Sequence, residues 1–258
     1  MTGGVVGSRS VRDHLSVGLV VIGNEILSGK VIDTNTPFLA HELRGLGASL
    51  ERVVVIPDDI PQIAAEVADF SRRFDVVFTS GGVGPTHDDM TMDGVAAAFG
   101  RPLVEHIDLR RAIERFVGNR ANAAHLKMAQ IPDGAELIVD DQLAFPTVVV
   151  GNVYILPGIP ELFQAKIVSL RDRFRARPYF LRQVLVRDNE TRIAEFLNAT
   201  LVAFPELLLG SYPKLTDPDY RVLLTLESKD ESYVDRALAD LVGRLPAGCV
   251  FRIDGGRP

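Results

Sequence analysis

The feature that most constrains the fold is an alternation of short, almost wholly apolar runs with segments of helical periodicity. The first run is "GLVVIG" (18–23), and "LERVVVI" (50–56) and "DVVFTS" (75–80) follow it along the chain. Such runs are typical of strands that helices cover on both faces, as in a parallel sheet. The pattern therefore predicts a three-layer α/β/α fold built on a doubly wound, mostly parallel sheet.

The segments between these runs carry helical signals. From Ile60 to Phe74 apolar residues recur at spacings of three and four, with Asp58 or Asp59 available as N-cap and Pro61 in the first turn. Further helices are predicted over 33–46, 91–99, 110–118, 121–130 and 160–175, and extended structure over 146–158.

The rhythm of the chain changes beyond residue 178. The predicted elements there are strand 179–187, helix 190–203, strands 206–212 and 220–227, helix 231–244 and strand 248–252. This β-α-β-β-α-β order is typical of a small ferredoxin-like α+β domain. We therefore predict a flexible tail over 1–16, a first domain over 17–175 and a second over 176–258, with "RARP" (175–178) as the linker.

Charge and composition exclude several classes of partner. Because 28 Lys and Arg stand against 34 Asp and Glu, a net charge of −6 argues against general electrostatic binding of nucleic acid. No run reaches the roughly 20 apolar residues of a membrane helix. The single cysteine, Cys249, rules out an internal disulfide and points to a reducing compartment. We expect a cytoplasmic protein with neither nucleic acid nor membrane partners.

A turn rich in glycine and carboxylate follows the third predicted strand. The stretch "SGGVGPTHDD" (80–89) places three glycines beside two adjacent acids. In an open α/β sheet, ligands bind beyond the carboxyl ends of the strands. Gly81, Gly82 and Gly84 leave the main chain bare, so that its N–H groups can hold a phosphate or another anion.

The same turn has a simpler interpretation, in which the glycines only shape it. Thr86, Asp88 or Asp89 would then cap the helix that begins near Thr91. Neither common phosphate loop is present, since no Lys follows Gly84 and no G-x-G-x-x-G opens the fold. Kinase and nicotinamide-dependent functions therefore lose their main support.

The adjacent acids predict a divalent cation or a general base. Since carboxylates repel an anionic ligand, an ion such as Mg²⁺ shared by Asp88, Asp89 and a diphosphate would compensate the charge. A carboxylate could instead orient water as a general base. His87 is a minor candidate. Acids also follow the other strands, with Glu25 and Asp33 after the first and Asp58 after the second. The alternative role is capping, by Asp33 or Thr34 for the first helix and by Asp58 for the second.

Several motifs in order connect the chain to a known family. They are "IGNEILSGKVIDTN" (22–35), "IPDD" (56–59), "TSGGVGPTHDDMTMDGVAAAFG" (79–100), "KMAQIP" (127–132) and "LPGIPE" (156–161). The chain resembles the MoaB/Mog-type molybdopterin-binding domain, and more closely the amino-terminal part of CinA proteins and the related domain of animal FAD synthases. The resemblance covers 18–170 and, through "LGSYP" (209–213), extends in its FAD-synthase form toward the end of the chain.

The resemblance implies three functions. CinA-like members hydrolyse nucleotide diphosphates such as ADP-ribose, and the FAD-synthase relative hydrolyses FAD, both with a divalent metal such as Mg, Mn or Co. Mog-type members instead handle molybdopterin, and a non-catalytic binding module is the third alternative. The implied ligand is a small nucleotide or a pterin, and the implied assembly is a homo-oligomer, either a dimer or a trimer.

The resemblance also carries site residues over to matching positions. The implied roles are catalysis for Asp58 and Asp89, phosphate or pterin binding for Ser80, Gly81, Gly82, Gly84, Thr86, Asp93, Pro157 and Gly158, and metal binding for Asp88, Asp89 and Glu25. Two positions depart from the pattern. Val83 replaces the Thr of Mog-type proteins, which favours the CinA-like branch. Asn24 replaces the Asp of most members, so that Glu25 lacks the expected partner acid.

Overall fold

A computed structural model describes residues 12–120 and 122–256. The chain divides between Ala176 and Arg177 into two compact units. Of the predicted flexible tail over 1–16, residues 1–11 lie outside the described residues. Leu15 is buried, and the first strand begins at Ser16, two residues before its predicted start.

The first unit is built on a six-stranded, mostly parallel sheet. Its elements are, in chain order, β1 (Ser16–Ile22), α1 (Asn24–Leu27), α2 (Asn35–Gly45), β2 (Ser49–Ile56), α3 (Ile60–Arg73), β3 (Val76–Ser80), α4 (Thr91–Ala98), β4 (Leu103–Glu105), α5 (Ile107–Val117), α6 (Ala123–Lys127), β5 (Gln130–Pro132), β6 (Glu136–Ile138), β7 (Thr147–Val150), β8 (Val153–Leu156) and α7 (Pro160–Leu170). The strand order is β2-β1-β3-β8-β7-β6. In this order β2, β1, β3 and β8 are parallel to one another, β7 is antiparallel to β8, and β6 is antiparallel to β7.

Alternate residues of β1 enter two separate cores, as side chains on opposite faces of a strand must. Val20 and Ile22 pack in a cluster with α3, whereas Leu19 and Val21 pack in a cluster with α2 and α7. Helices therefore cover both faces of the sheet, which confirms the predicted three-layer fold. The carboxyl ends of β1, β2, β3 and β8 meet at one edge.

Local hydrogen bonds explain where two helices differ from prediction. The helix expected over 33–46 begins at Asn35, because Asp33 Oδ1 accepts the amides of Asn35 and Thr36, each at 3.0 Å. Of the helix expected over 121–130, residue 121 lies outside the described residues, and the helix α6 ends at Lys127, since Gln130 instead enters β5 and pairs with β4. The extended stretch 146–158 forms the antiparallel hairpin β7-β8.

The second unit has the predicted β-α-β-β-α-β order. Its elements are β9 (Phe180–Val186), α8 (Glu190–Ala203), β10 (Leu208–Pro213), β11 (Val222–Ser228), α9 (Glu231–Arg244) and β12 (Val250–Gly256). The strands form an antiparallel sheet of order β10-β11-β9-β12, which is the ferredoxin-like arrangement. Among the described residues of both units, every helix is too short or too polar to cross a bilayer.

Candidate ligand-binding site

A cavity of about 600 Å³ opens at the carboxyl edge of the parallel strands. The turns after β1, β3 and β8 contribute Glu25, the segment 81–85 and the segment 157–160. Apolar side chains supply most of the remaining wall. They include Met92 of α4, Leu109 and Ile113 of α5, Leu162 of α7, and two loop residues, Met128 after α6 and Phe145 before β7. A concave, mostly apolar cavity with a few polar groups at one side is the usual form of a small-molecule site.

The turn after β3 can be made only with glycine at its first two positions. Gly81 and Gly82 have φ values of 107° and 64°, in the left-handed region. A Cβ at Gly81 would overlap the carbonyl oxygen of Ile22, and one at Gly82 would overlap Oγ1 of Thr91. Thr91 is buried and its hydroxyl donates to the Gly81 carbonyl at 2.7 Å, which holds the turn in place.

Three consecutive amides of this turn are free to bind a ligand. The N–H of Gly81 donates to the Leu156 carbonyl at 3.2 Å. In the described part of the chain, the N–H groups of Gly82, Val83 and Gly84 donate no hydrogen bond to the protein. All three residues line the cavity. Bare amides in such a concave turn are an anion-binding feature.

The carboxylate of Asp89 lies across the same turn. Its Oδ2 accepts the Thr86 amide at 2.7 Å and the Thr86 hydroxyl at 2.5 Å. A Cβ at Gly84 would come within 2.6 Å of this oxygen, so glycine leaves room for the acid. The alternative that these residues cap α4 is wrong, because the N-cap is Met90 and no side chain caps that helix.

The two acids after β2 have separate structural roles. Asp59 is the N-cap of α3, since its Oδ1 accepts the Gln62 amide at 3.0 Å. Asp58 Oδ2 accepts the Asn24 amide at 2.8 Å and so ties the turn after β2 to the turn after β1. Capping by Asp58, the alternative role considered for it, is therefore wrong.

The structure brings most of the predicted site residues together. The main cavity is lined by Glu25, Gly81, Gly82, Gly84, Asp89, Pro157 and Gly158. Ser80 lines a neighbouring cavity of about 60 Å³, and Asp93 lines a third of about 50 Å³ that also contains Asp89. The side chains of Asp58, Thr86 and Asp88 do not line these three cavities. His87 is 96% exposed, as expected of a solvated neighbour.

The acids do not form a closed metal cage. Among residues 12–120 and 122–256, no group of three or more His, Cys, Asp or Glu side chains is placed to hold a metal ion. Glu25 and Asp89 are the two carboxylates of the main cavity wall.

Lys166, on α7, is a site residue that the sequence patterns missed. Its Nζ donates to the carbonyls of Phe145 and Pro146, at 2.9 and 3.0 Å, and to Thr147 Oγ1 at 3.3 Å. Burial lowers the pKa of this amine to about 8. Lys166 follows the buried Phe163 by three positions, so a lysine within an apolar helical stripe was the available signal.

Lys127, within the motif "KMAQIP", was also given no role from the sequence. Its Nζ donates to the Thr86 carbonyl at 3.0 Å and lies 3.5 Å from the Asp89 carbonyl. The lysine therefore anchors the turn on which Asp89 stands and places a positive charge beside it.

Comparison with known families identifies the first unit. Residues 18–175 match a family model described as "Probable molybdopterin binding domain". The chain belongs to this family. Residues 178–254 match a second model, described as "FAD synthase, middle domain".

The similar proteins include a probable FAD synthase and a CinA-like protein. It is 34% identical to a protein of Archaeoglobus fulgidus, over 85% of this chain and 93% of that protein. It is 32% identical to the "Probable FAD synthase" of Caenorhabditis elegans over 92% of this chain, and 31% identical to the "CinA-like protein" of Myxococcus xanthus over 87%. The chain spans 51% and 57% of the length of these two relatives.

A solved structure supports the same assignment. The protein CinA from Thermoplasma acidophilum superimposes with a TM-score of 0.58 at 31% identity, over 63% of this chain and 99% of that chain. The resemblance inferred from the motifs is thereby confirmed, and the chain is a CinA-like molybdopterin-binding-domain protein.

Proposed function

We propose that the first unit is a metal-dependent hydrolase that cleaves the diphosphate of a nucleotide substrate such as ADP-ribose or FAD. One observation carries the proposal. The free amides of Gly82, Val83 and Gly84 line a cavity whose remaining wall is largely apolar. Such a cavity suits a ligand with an anionic group at one end and a flat ring at the other.

Asp89 is the residue best placed to act on a phosphate bound at this turn. In the hydrolysis, the oxygen of water bonds to one phosphorus, the bridging P–O bond breaks, and a base takes the water proton. Thr86 occupies Oδ2 of Asp89 with two hydrogen bonds, whereas Oδ1 accepts none among the described residues. Asp89 can therefore accept that proton or hold an ion through Oδ1.

In this proposal, two carboxylates of the cavity wall would hold the divalent cation. Ions such as Mg²⁺ are commonly held by one or two carboxylates together with the phosphate oxygens of the substrate. Glu25 and Asp89 provide that number. A Mg, Mn or Co ion bound there would stabilise the negative charge that develops on the departing phosphate.

Binding of molybdopterin is the second candidate function, and the description of the matched family favours it. The same glycine turn would hold the phosphate of a pterin ligand. Two observations favour a nucleotide substrate instead. Val83 departs from the Mog-type pattern, and residues 178–254 match the middle domain of FAD synthases.

The deciding experiment is a hydrolysis screen. The full chain is incubated with ADP-ribose, FAD, NAD and coenzyme A, with and without Mg²⁺, Mn²⁺ or Co²⁺, and the products are separated by chromatography. We expect metal-dependent release of a nucleoside monophosphate from at least one substrate, and its loss in Asp89→Asn. If a substrate binds tightly but is not cleaved with any of the three metals, the hydrolase proposal is refuted and a binding module is favoured.

A further inference from the structure

The main cavity offers few polar side chains to a ligand. Among the described residues that line it, only Glu25, Asp89 and Lys166 carry nitrogen or oxygen in their side chains. The other lining residues are glycine, proline or apolar. Glu25 and Asp89 are the carboxylates that the proposed function assigns to the metal ion. Lys166 is therefore the one side chain left that could form a hydrogen bond with the ring of a ligand.

Lys166 has no donor to spare. A lysine ammonium has three donor hydrogens, and this one has three protein acceptors, namely the carbonyls of Phe145 and Pro146 and the hydroxyl of Thr147. A pKa of about 8 keeps the amine mostly charged at pH 7. The lysine thus ties the loop before β7 to α7, and it holds Phe145 in the cavity wall.

Phe145 is the aromatic residue of the described cavity wall. Its ring packs against that of Phe116, on the last turn of α5, with the ring centroids 5.0 Å apart and an angle of 64° between the ring planes. Phe116 is 63% exposed, so this side of the cavity meets water. A flat ring lying on Phe145 could therefore bury its faces among apolar side chains and leave its polar edge hydrated. Stacking of this kind tolerates different bases, because every base has a π-face.

We propose that the main cavity binds the ring of its ligand by stacking on Phe145 and does not read the hydrogen-bonding edge of that ring, so that adenine and guanine nucleotides bind about equally. This inference rests on the proposed function. A site that hydrogen-bonds to a substrate group rejects an analogue lacking that group by about 10⁴-fold or more, whereas an apolar pocket discriminates only weakly. The substrates are accordingly a class, the nucleoside diphosphate compounds whose flat ring has the size of a purine.

The test uses ligands that the proposed hydrolysis cannot cleave. In the α,β-methylene analogues of ADP and GDP a CH₂ group replaces the bridging oxygen, and methylenediphosphonate supplies the two phosphorus groups without a nucleoside. The full chain is titrated with each probe in a calorimeter at pH 7 with Mg²⁺. We expect the two nucleotide analogues to bind with affinities within about fivefold of each other. Each should bind about tenfold more tightly than methylenediphosphonate, through stacking of the ring.

Two variants assign the effect to one aromatic ring. Phe145→Leu should weaken both nucleotide analogues by about fivefold or more and leave methylenediphosphonate unchanged. Phe99→Leu is the matched control, because Phe99 is also partly buried and packs against the same core cluster, yet it does not line any of the three cavities. This variant should bind every probe as the wild type does.

The outcomes separate this inference from the proposed function. A difference of more than about fivefold between the two nucleotide analogues would show that the ring edge is read and would overturn the inference. Nucleotide analogues that bind no more tightly than methylenediphosphonate would overturn it too, while leaving the phosphate-binding turn intact. Absence of binding by all three probes would overturn both proposals. If Phe145→Leu fails to fold, the comparison on the wild type still decides. A folded Phe145→Leu with wild-type affinity for both nucleotide analogues would overturn the role of Phe145.

Discussion

Replacing Lys166 with Met should change how the stability of the first unit depends on pH. The amine is partly buried, and this burial lowers its pKa from the usual 10.5 to about 8 in the folded protein. Between these two values the unfolded chain binds more protons than the folded one. The free energy of unfolding of the wild type therefore rises with pH from about 8 to about 10.5.

The size of this effect follows from the shift in pKa. At about 1.4 kcal/mol per pKa unit, keeping the amine charged at pH 7 costs the folded state about 3 kcal/mol. About 2.5 kcal/mol of that is recovered by pH 10. Met is similar to Lys in length and has no titratable group. It also leaves the carbonyls of Phe145 and Pro146 without their donor, a loss of about 1 kcal/mol each that does not vary with pH.

Urea denaturation followed by circular dichroism at pH 7, 8, 9 and 10 tests the reasoning. The difference in unfolding free energy, wild type minus Lys166→Met, should increase by about 2.5 kcal/mol across this range. Lys30→Met, at an exposed lysine, controls for removing one positive charge. A difference that stays constant from pH 7 to pH 10 would refute the buried-amine account.

Three further changes test other parts of the structure. Asp89→Asn should lower turnover of the best diphosphate substrate by about 10²-fold or more. Its melting temperature should change little, because the amide oxygen can still accept the Thr86 amide. Normal kinetics would exclude Asp89 both as general base and as metal ligand. Asp59→Ala should lower the free energy of unfolding by about 1 kcal/mol through loss of the cap on Gln62, with unchanged turnover per folded molecule. Residues 1–175 expressed alone should melt cooperatively, and an aggregated or molten fragment would contradict their independence.

The main sheet could be predicted because burial on both faces forces apolar runs. β3, for example, is buried at every position. Short strands outside this pattern, such as β4 and β5 with three residues each, carry no comparable signal and were missed. The position of Asp89 beside the glycine turn was predictable because the two are close in sequence.

The rest of the site depends on contacts between distant segments. Leu109 and Ile113 line the cavity from α5, yet in the sequence they form an ordinary apolar stripe. Asn35 lies 123 residues from the Gly158 carbonyl that orients it. The unpaired oxygen of Asn35 and the partly buried amine of Lys166 can be recognised only when the packing around each is known.

The close approach of the turns after β3 and β8 limits how this protein can change its ligand. A Cβ at Gly158 would lie 3.2 Å from the Cα of Gly81, and Asn35 bonds to both Ser80 and Gly158. The floor of the site is thus made of main chain. A substitution there would disturb the ends of β1, β3 and β8, which contact one another at this point. New ligand preferences would have to arise on the apolar walls, at positions such as Met92 and Leu162. A library restricted to those walls should yield folded variants with altered ring selectivity, whereas one aimed at the floor should yield mostly unfolded chains.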